Sequence, residues 1–146
     1  MFSLSNKALL IATLLATSLS SPSHATDTSL SLPVTNLQYF DTGVGPLKAA
    51  PAFGDLSKGE HGTFIKLPAG FVSPSHKHTE DYYGVVITGV VANGAGAKTQ
   101  DTPLPPGSYW FQKGDANHVT KCLSKNECVV FLVQPGKFDF IAAEKK

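Results

Sequence analysis

The stretch from Gly70 to Gly89, GFVSPSHKHTEDYYGVVITG, constrains the fold more than any other part of this chain. His76 and His78 sit one residue apart, and the aromatic and β-branched residues that follow suit a strand. Residues two apart on an extended strand point to the same face, so the two imidazoles share a side. Imidazole nitrogen ligates zinc, iron, copper or nickel, and two on one face make half of a metal site. His118, in a similar strand–turn setting 40 residues after His78, is a candidate third ligand. The pattern points to a small β-barrel holding a metal.

The surrounding sequence supports an all-β reading. VTNLQYFD, Thr63 to Leu67, Asp81 to Thr88, VVAN, SYWFQ, NHVTKC, Cys128 to Gln134 and KFDFIAA are short β-prone runs. Turn residues separate them: Thr42 to Pro46, Pro68-Ala69-Gly70, Asn93 to Gly96, Lys113-Gly114-Asp115 and Pro135-Gly136. Pro103 to Gly107 is a proline-rich connection with no place inside a sheet. Short strands at this spacing predict a single sandwich or barrel domain. Trp110, Phe64 and Phe131 are expected in its core. His61, in a polar, glycine-flanked segment, is expected at the surface.

The front of the chain reads as an export signal. Lys7 precedes an apolar run from Ala8 to Leu15, and Ser23-His24-Ala25 offers small residues where signal peptidase reads. The run is too short for a membrane span, which takes about 20 residues. Residues 1–25 are therefore expected to be cleaved, leaving 26–146 as one domain in the periplasm or the medium, with no membrane partner afterwards. No arginine occurs, so a twin-arginine export signal is excluded, and so is a guanidinium fork for clamping an anion. Without Lys7 the chain has eleven lysines against eleven carboxylates and no basic block, a poor match for nucleic acid. In an oxidising compartment Cys122 and Cys128 are expected to form a disulfide across the polar turn LSKNE, tying two antiparallel strands.

Spacing carries a resemblance to a known family. Gly70, five residues, His76, one residue, His78, three residues, Tyr82, six residues, Gly89 resembles the first motif of the cupin superfamily, where glutamate is usual at the position of Tyr82. Gly107 and His118 are separated as in the second motif, with Lys113 standing for its proline, Asp115 for its second glycine and Cys122 for its asparagine. Gly54-Asp55 and QPGKFDF are similar to small cupins related to the metal-binding domain of ChrR-type anti-sigma factors.

The resemblance implies an all-β, single-domain cupin-type β-barrel (a double-stranded β-helix, or jelly roll). It implies one divalent metal ion, zinc, iron, manganese, copper or nickel, on His76, His78 and His118. Tyr82 then serves as pocket wall, proton handler or phenolate ligand, and Glu80 can supply the missing carboxylate if the strand bulges. The expected function is that of an exported metal-dependent enzyme on a small organic substrate, with dioxygenase-like or lyase- or isomerase-like chemistry and Tyr82 or Glu80 as its catalytic residues. The alternative is a non-catalytic module that binds zinc or a small ligand as a sensor. Small cupins commonly form homodimers, so a homodimer is a further expectation.

Overall fold

The apolar run CVVFLVQ lies in the middle of the larger of two layers of strands, hydrogen-bonded to a neighbour on each side. The computed structural model describes residues 29–95 and 101–143, so the proposed export signal falls outside the described residues. In chain order the strands are β1 (Phe40–Asp41), β2 (Lys48–Gly54), β3 (His61–Leu67), β4 (His76–Lys77), β5 (Tyr82–Thr88), β6 (Val91–Gly94), β7 (Tyr109–Gln112), β8 (Val119–Cys122), β9 (Cys128–Gln134) and β10 (Ile141–Ala142). A single 3-10 turn covers Val34–Asn36, and there is no α-helix among the described residues.

The larger layer is a six-stranded antiparallel sheet in the order β1-β2-β3-β9-β5-β7. The smaller layer consists of two strand pairs, β10-β4 and β6-β8, joined by an isolated bridge between His76 and His118. The ladders do not close into a continuous hydrogen-bonded barrel. Between the layers lies the core, built from Ile65, Leu67, Val86, Val130 and Leu132 of the larger sheet with Val91 and Cys122 of the smaller. This is the all-β arrangement the strand spacing predicts.

Several elements depart from the sequence reading. β2 was not anticipated, because KAAPAFG is poor in β-formers. Its Pro51 is tolerated because β1 pairs only with Lys48 and Ala49, so Pro51 sits on an open edge where no ladder bond is lost. KFDFIAA is not one strand: only Ile141 and Ala142 pair, with β4. Ahead of them the chain leaves the sheet, and Phe138 donates its N–H to the Leu56 carbonyl at 2.7 Å. Phe64 and Phe131 are half-buried on the outer face of the larger sheet, with ring centroids 4.8 Å apart and planes tilted by 48°, because alternation gives the inner positions to Ile65, Val130 and Leu132. Trp110 does lie inside.

Cys122 and Cys128 are disulfide-bonded. β8 and β9 do not pair with each other, however; β8 belongs to the smaller layer and β9 to the larger. The bond therefore pins one layer to the other instead of stapling a hairpin. Gly89 packs onto it: a Cβ there would come within 2.6 Å of Cys128 Sγ, and its φ of +79° is one that L side chains rarely adopt. Closing a loop this short contributes about 2 kcal/mol by chain entropy. The double substitution Cys122→Ser, Cys128→Ser should lower the unfolding free energy by about that amount and so lower the urea midpoint, measured by urea unfolding. An unshifted midpoint would show that the inter-layer clamp is redundant.

Candidate metal centre

His76 and His118 are direct cross-strand partners. His76 donates its backbone N–H to the His118 carbonyl at 3.0 Å, and His118 returns the bond at 2.8 Å. Opposed residues in an antiparallel pair present their side chains on one face with Cβ atoms about 5 Å apart, so the backbone itself brings the two imidazoles together. His78, two residues on, shares that face. The three rings lie 4.2 to 5.2 Å apart by centroid, and one donor-capable atom from each falls within 4.8 Å of the others. All three are almost fully buried.

Each ring is oriented by a backbone carbonyl at Nδ1. His76 Nδ1 meets the Pro74 carbonyl at 2.9 Å, His118 Nδ1 the Ala116 carbonyl at 3.3 Å, and His78 Nδ1 the Asp139 carbonyl. A carbonyl oxygen only accepts, so each Nδ1 carries the proton and each Nε2 keeps its lone pair. That is the tautomer a metal-ligating histidine needs, and the carbonyl partner is the usual outer support. Burial lowers the pKa of all three rings, and burial plus the neighbouring His76 take His118 down to about 4. The three stay neutral at pH 7. The donor set thus fits a borderline divalent cation, and the group can hold a metal ion.

Tyr82 opens β5 with its ring inside, 97 % of its surface buried on the same face as the histidines. Its hydroxyl lies 3.3 Å from His118 Nε2. Burial pushes its pKa up to about 12, so it remains a protonated phenol. Glu80 is not brought to the cluster. Residues 79–80 form a bend between β4 and β5, which breaks the alternation that would have turned it inward, and its exposed side chain lies against Gly136. Asn117, beside His118, is exposed. His61 is buried, contrary to the sequence reading, with Nδ1 2.8 Å from Thr63 Oγ1. It faces inward at the start of β3, outside the three-histidine group.

His76, His78 and Tyr82 line a cavity of about 50 Å³. A water takes roughly 10–15 Å³ on that measure, so the space suits a few waters or a small organic group. Its other walls are aliphatic and aromatic, with the hydroxyls of Thr42, Ser73 and Thr120, and among the described residues no charged side chain lines it. Phe140 stacks on His76 at 4.3 Å and Phe138 lies 5.0 Å from His78. Asp139 between them accepts the Thr79 backbone N–H at 2.9 Å. Sequence reasoning missed these walls. The Phe-Asp-Phe alternation was visible, but nothing in it shows that the segment crosses the cavity.

Comparison with known proteins now has a site to be set against. A family model described as a domain of unknown function, DUF4437, matches residues 43–144. The chain belongs to the DUF4437 family. No curated protein matches the sequence. Among solved structures, this DUF4437 chain is similar to the polyketide cyclase RemF from Streptomyces resistomycificus (TM-score 0.65, 13% identity, 82% of this chain and 88% of that one). It is also similar to an RmlC-like cupin from Ralstonia eutropha (TM-score 0.58, 19% identity, 75% and 69%). The anti-sigma factor ChrR, in its complex with SigE from Rhodobacter sphaeroides, matches with a TM-score of 0.53 at 13% identity, over 70% and 50%. At these identities the likeness shows the fold, and that fold is the cupin double-stranded β-helix.

The depressed imidazole pKa values set the sign of the pH response. The unfolded chain takes up protons on its histidines near pH 6.5, whereas the folded chain resists, at His118 down to about 4. Between those values the unfolded state binds more protons, so stability is fully present above pH 6.5 and is lost as pH falls towards 4. Urea unfolding of the metal-free protein should show a midpoint declining across that window, with His118→Asn flattening the decline. A profile flat from pH 7 to 4 would contradict three buried neutral imidazoles.

Proposed function

We propose that this DUF4437 protein is an exported metal-dependent enzyme acting on a small, largely apolar organic molecule that bears an oxygen donor. The observation that carries the reading is the neutral triad of His76, His78 and His118, each Nε2 left unprotonated by the carbonyl at Nδ1, beside an uncharged cavity. A divalent cation held by those three supplies Lewis acidity, polarising a substrate oxygen or acidifying a bound water. With no carboxylate among its ligands, the triad leaves the cation's charge to be balanced by an anionic or enolisable substrate. The all-imidazole set suits zinc, copper, iron or nickel better than manganese.

The chain's own residues take defined parts in this reading. Tyr82, protonated across the physiological range, is a hydrogen-bond donor next to the metal and not a resting general base. Phe138 and Phe140 hold the rings from one side and keep water from the site. Glu80 stands outside, so proton transfer falls to Tyr82 or to solvent at the cavity. The RemF likeness supports enzymatic use of such a site, with lyase, cyclase or isomerase chemistry or oxygen-dependent cleavage as its reaction classes. The inter-layer disulfide supports an oxidising location, periplasmic or secreted. The ChrR likeness favours a second reading, a metal-holding sensor module.

Elemental analysis of untagged protein from its native compartment should find one metal ion per chain. His76→Ala, His78→Ala and His118→Ala should each abolish its retention, while Tyr82→Phe should keep it. Cobalt-substituted protein separates the two readings. Azide should perturb its visible spectrum if a coordination position is open, as catalysis requires. An azide-insensitive spectrum with firmly held metal would favour the sensor module over the enzyme.

A further inference from the structure

Beside the three histidines, the cavity wall carries a hydrogen-bond relay whose direction is fixed at one end. Gln112 is buried at the end of β7, and its Nε2 lies 3.1 Å from the Lys113 carbonyl and 3.2 Å from the Ala116 carbonyl. Carbonyls only accept, so that side of the amide is the NH2 group and Oε1 faces the other way. Oε1 therefore accepts from Asn93 Nδ2 at 2.9 Å, which turns Asn93 Oδ1 toward Thr120. Thr120 Oγ1 stands 2.7 Å from that oxygen and has to donate its one hydrogen to it. The Thr120 hydroxyl thus meets the cavity with lone pairs alone. Ser73 has the opposite polarity. Its Oγ accepts the Thr120 backbone N–H at 2.9 Å and lies 3.4 Å from His76 Nδ1, which carries a proton for the Pro74 carbonyl. Both neighbours are donors, so they face the lone pairs and leave the Ser73 hydrogen without an acceptor among the described residues. Ser73 is only 6% exposed and lines the same cavity.

We propose that Ser73 and Thr120 are the specificity-determining pair of this site and receive a hydroxyl group of the ligand while another of its oxygens meets the metal. The inference rests on the metal-dependent reading above and deepens it, because it makes the substrate an alcohol-bearing molecule such as a hydroxy acid or a hydroxyketone. A hydroxyl group both donates and accepts, so one such group answers both residues: its hydrogen goes to Thr120 and its oxygen takes the Ser73 hydrogen. An ether, ketone or carboxylate only accepts and leaves Thr120 unanswered. Backbone pairing puts the two residues next to the metal ligands. Thr120 lies two residues after His118 on extended chain and shares its face. Ser73 donates its N–H to the Thr120 carbonyl at 2.9 Å, alongside the His76–His118 pair. The Ala116 carbonyl that anchors the relay is also the one that orients His118. Tyr82, whose hydroxyl neighbours Thr120, can take one of the two Thr120 lone pairs and leaves the other.

Glycolate and propionate are suitable probes, since they differ only by a hydroxyl in place of a methyl group. Titrated into cobalt-loaded protein and followed in its visible spectrum, glycolate should bind about 10-fold more tightly, the worth of one well-formed hydrogen bond. Thr120→Val removes the acceptor at constant size and should erase that preference, whereas Thr120→Ser should keep it. Asn93→Leu leaves Thr120 in place but removes the oxygen that claims its hydrogen, and it too should erase the preference. A purely structural defect would instead weaken both probes alike. One cobalt ion per chain and unchanged far-ultraviolet circular dichroism would show that the variants fold. Equal binding of the two probes by the unmodified protein overturns the inference and leaves the metal-dependent reading standing, as does a preference that survives Thr120→Val and Asn93→Leu. A cobalt spectrum that glycolate, propionate and azide all leave unchanged overturns both.

Discussion

Two backbone hydrogen bonds, exchanged between His76 and His118, organise both the fold and the site. They are the bridge that joins β10-β4 to β8-β6, so they complete the smaller layer. They also oppose two of the three imidazoles on one face. The pairing continues one step further, where Asp115 donates its N–H to the His78 carbonyl at 2.8 Å. Three bonds between residues 76–78 and 115–118 therefore place all three histidines. Buried strand pairing stabilises the main chain here regardless of what the side chains do, so the site is preorganised by the backbone.

Burial then sets the chemistry. Removing the rings from water disfavours their charged forms, and three mutually close imidazoles reinforce one another in the same direction. The carbonyls of Pro74, Ala116 and Asp139 fix each proton on Nδ1. The same burial that keeps the histidines unprotonated, and so able to ligate, keeps the Tyr82 phenol from ionising. Among the described residues no carboxylate lines the cavity, and the Asp139 carboxylate stands behind the triad, 3.9 Å from His78 Nδ1. Tyr82, held as a neutral phenol beside the triad, adds no charge to the site.

Sequence reasoning reached the parts of this arrangement that depend on local periodicity. His-Lys-His on a strand and most strands follow from alternation and turn residues, whereas His118 as third ligand came with the cupin-motif resemblance and the disulfide with the expected oxidising compartment. Asp115 was also legible as standing at a glycine position, and its φ of +59° shows why: the turn needs a left-handed residue, which Asp tolerates better than most. What was not legible depends on which segments meet. The burial of His61 follows from the pairing of β3 with β9, not from its polar neighbours. The outward place of Glu80 is set by the bend at residues 79–80, which regular strand alternation does not show. Phe138 and Phe140 looked like strand residues, and their place over the histidines is set by long-range contacts to Leu56 and Thr79.

β5 presents both faces of the larger sheet. Tyr82 and Tyr83 are adjacent, one aimed at the histidines and the other at solvent on the opposite face. Gly84 follows, and a Cβ there would come within 2.2 Å of the Trp110 ring, so the glycine is what lets Trp110 lie flat on the strand and line the cavity. Trp110 in turn sits between Tyr109 and Phe111, both outward. The short strands β5 and β7 thus carry the wall of the cavity through Tyr82 and Trp110, and their outward residues Tyr83, Val85, Tyr109 and Phe111 are apolar as well.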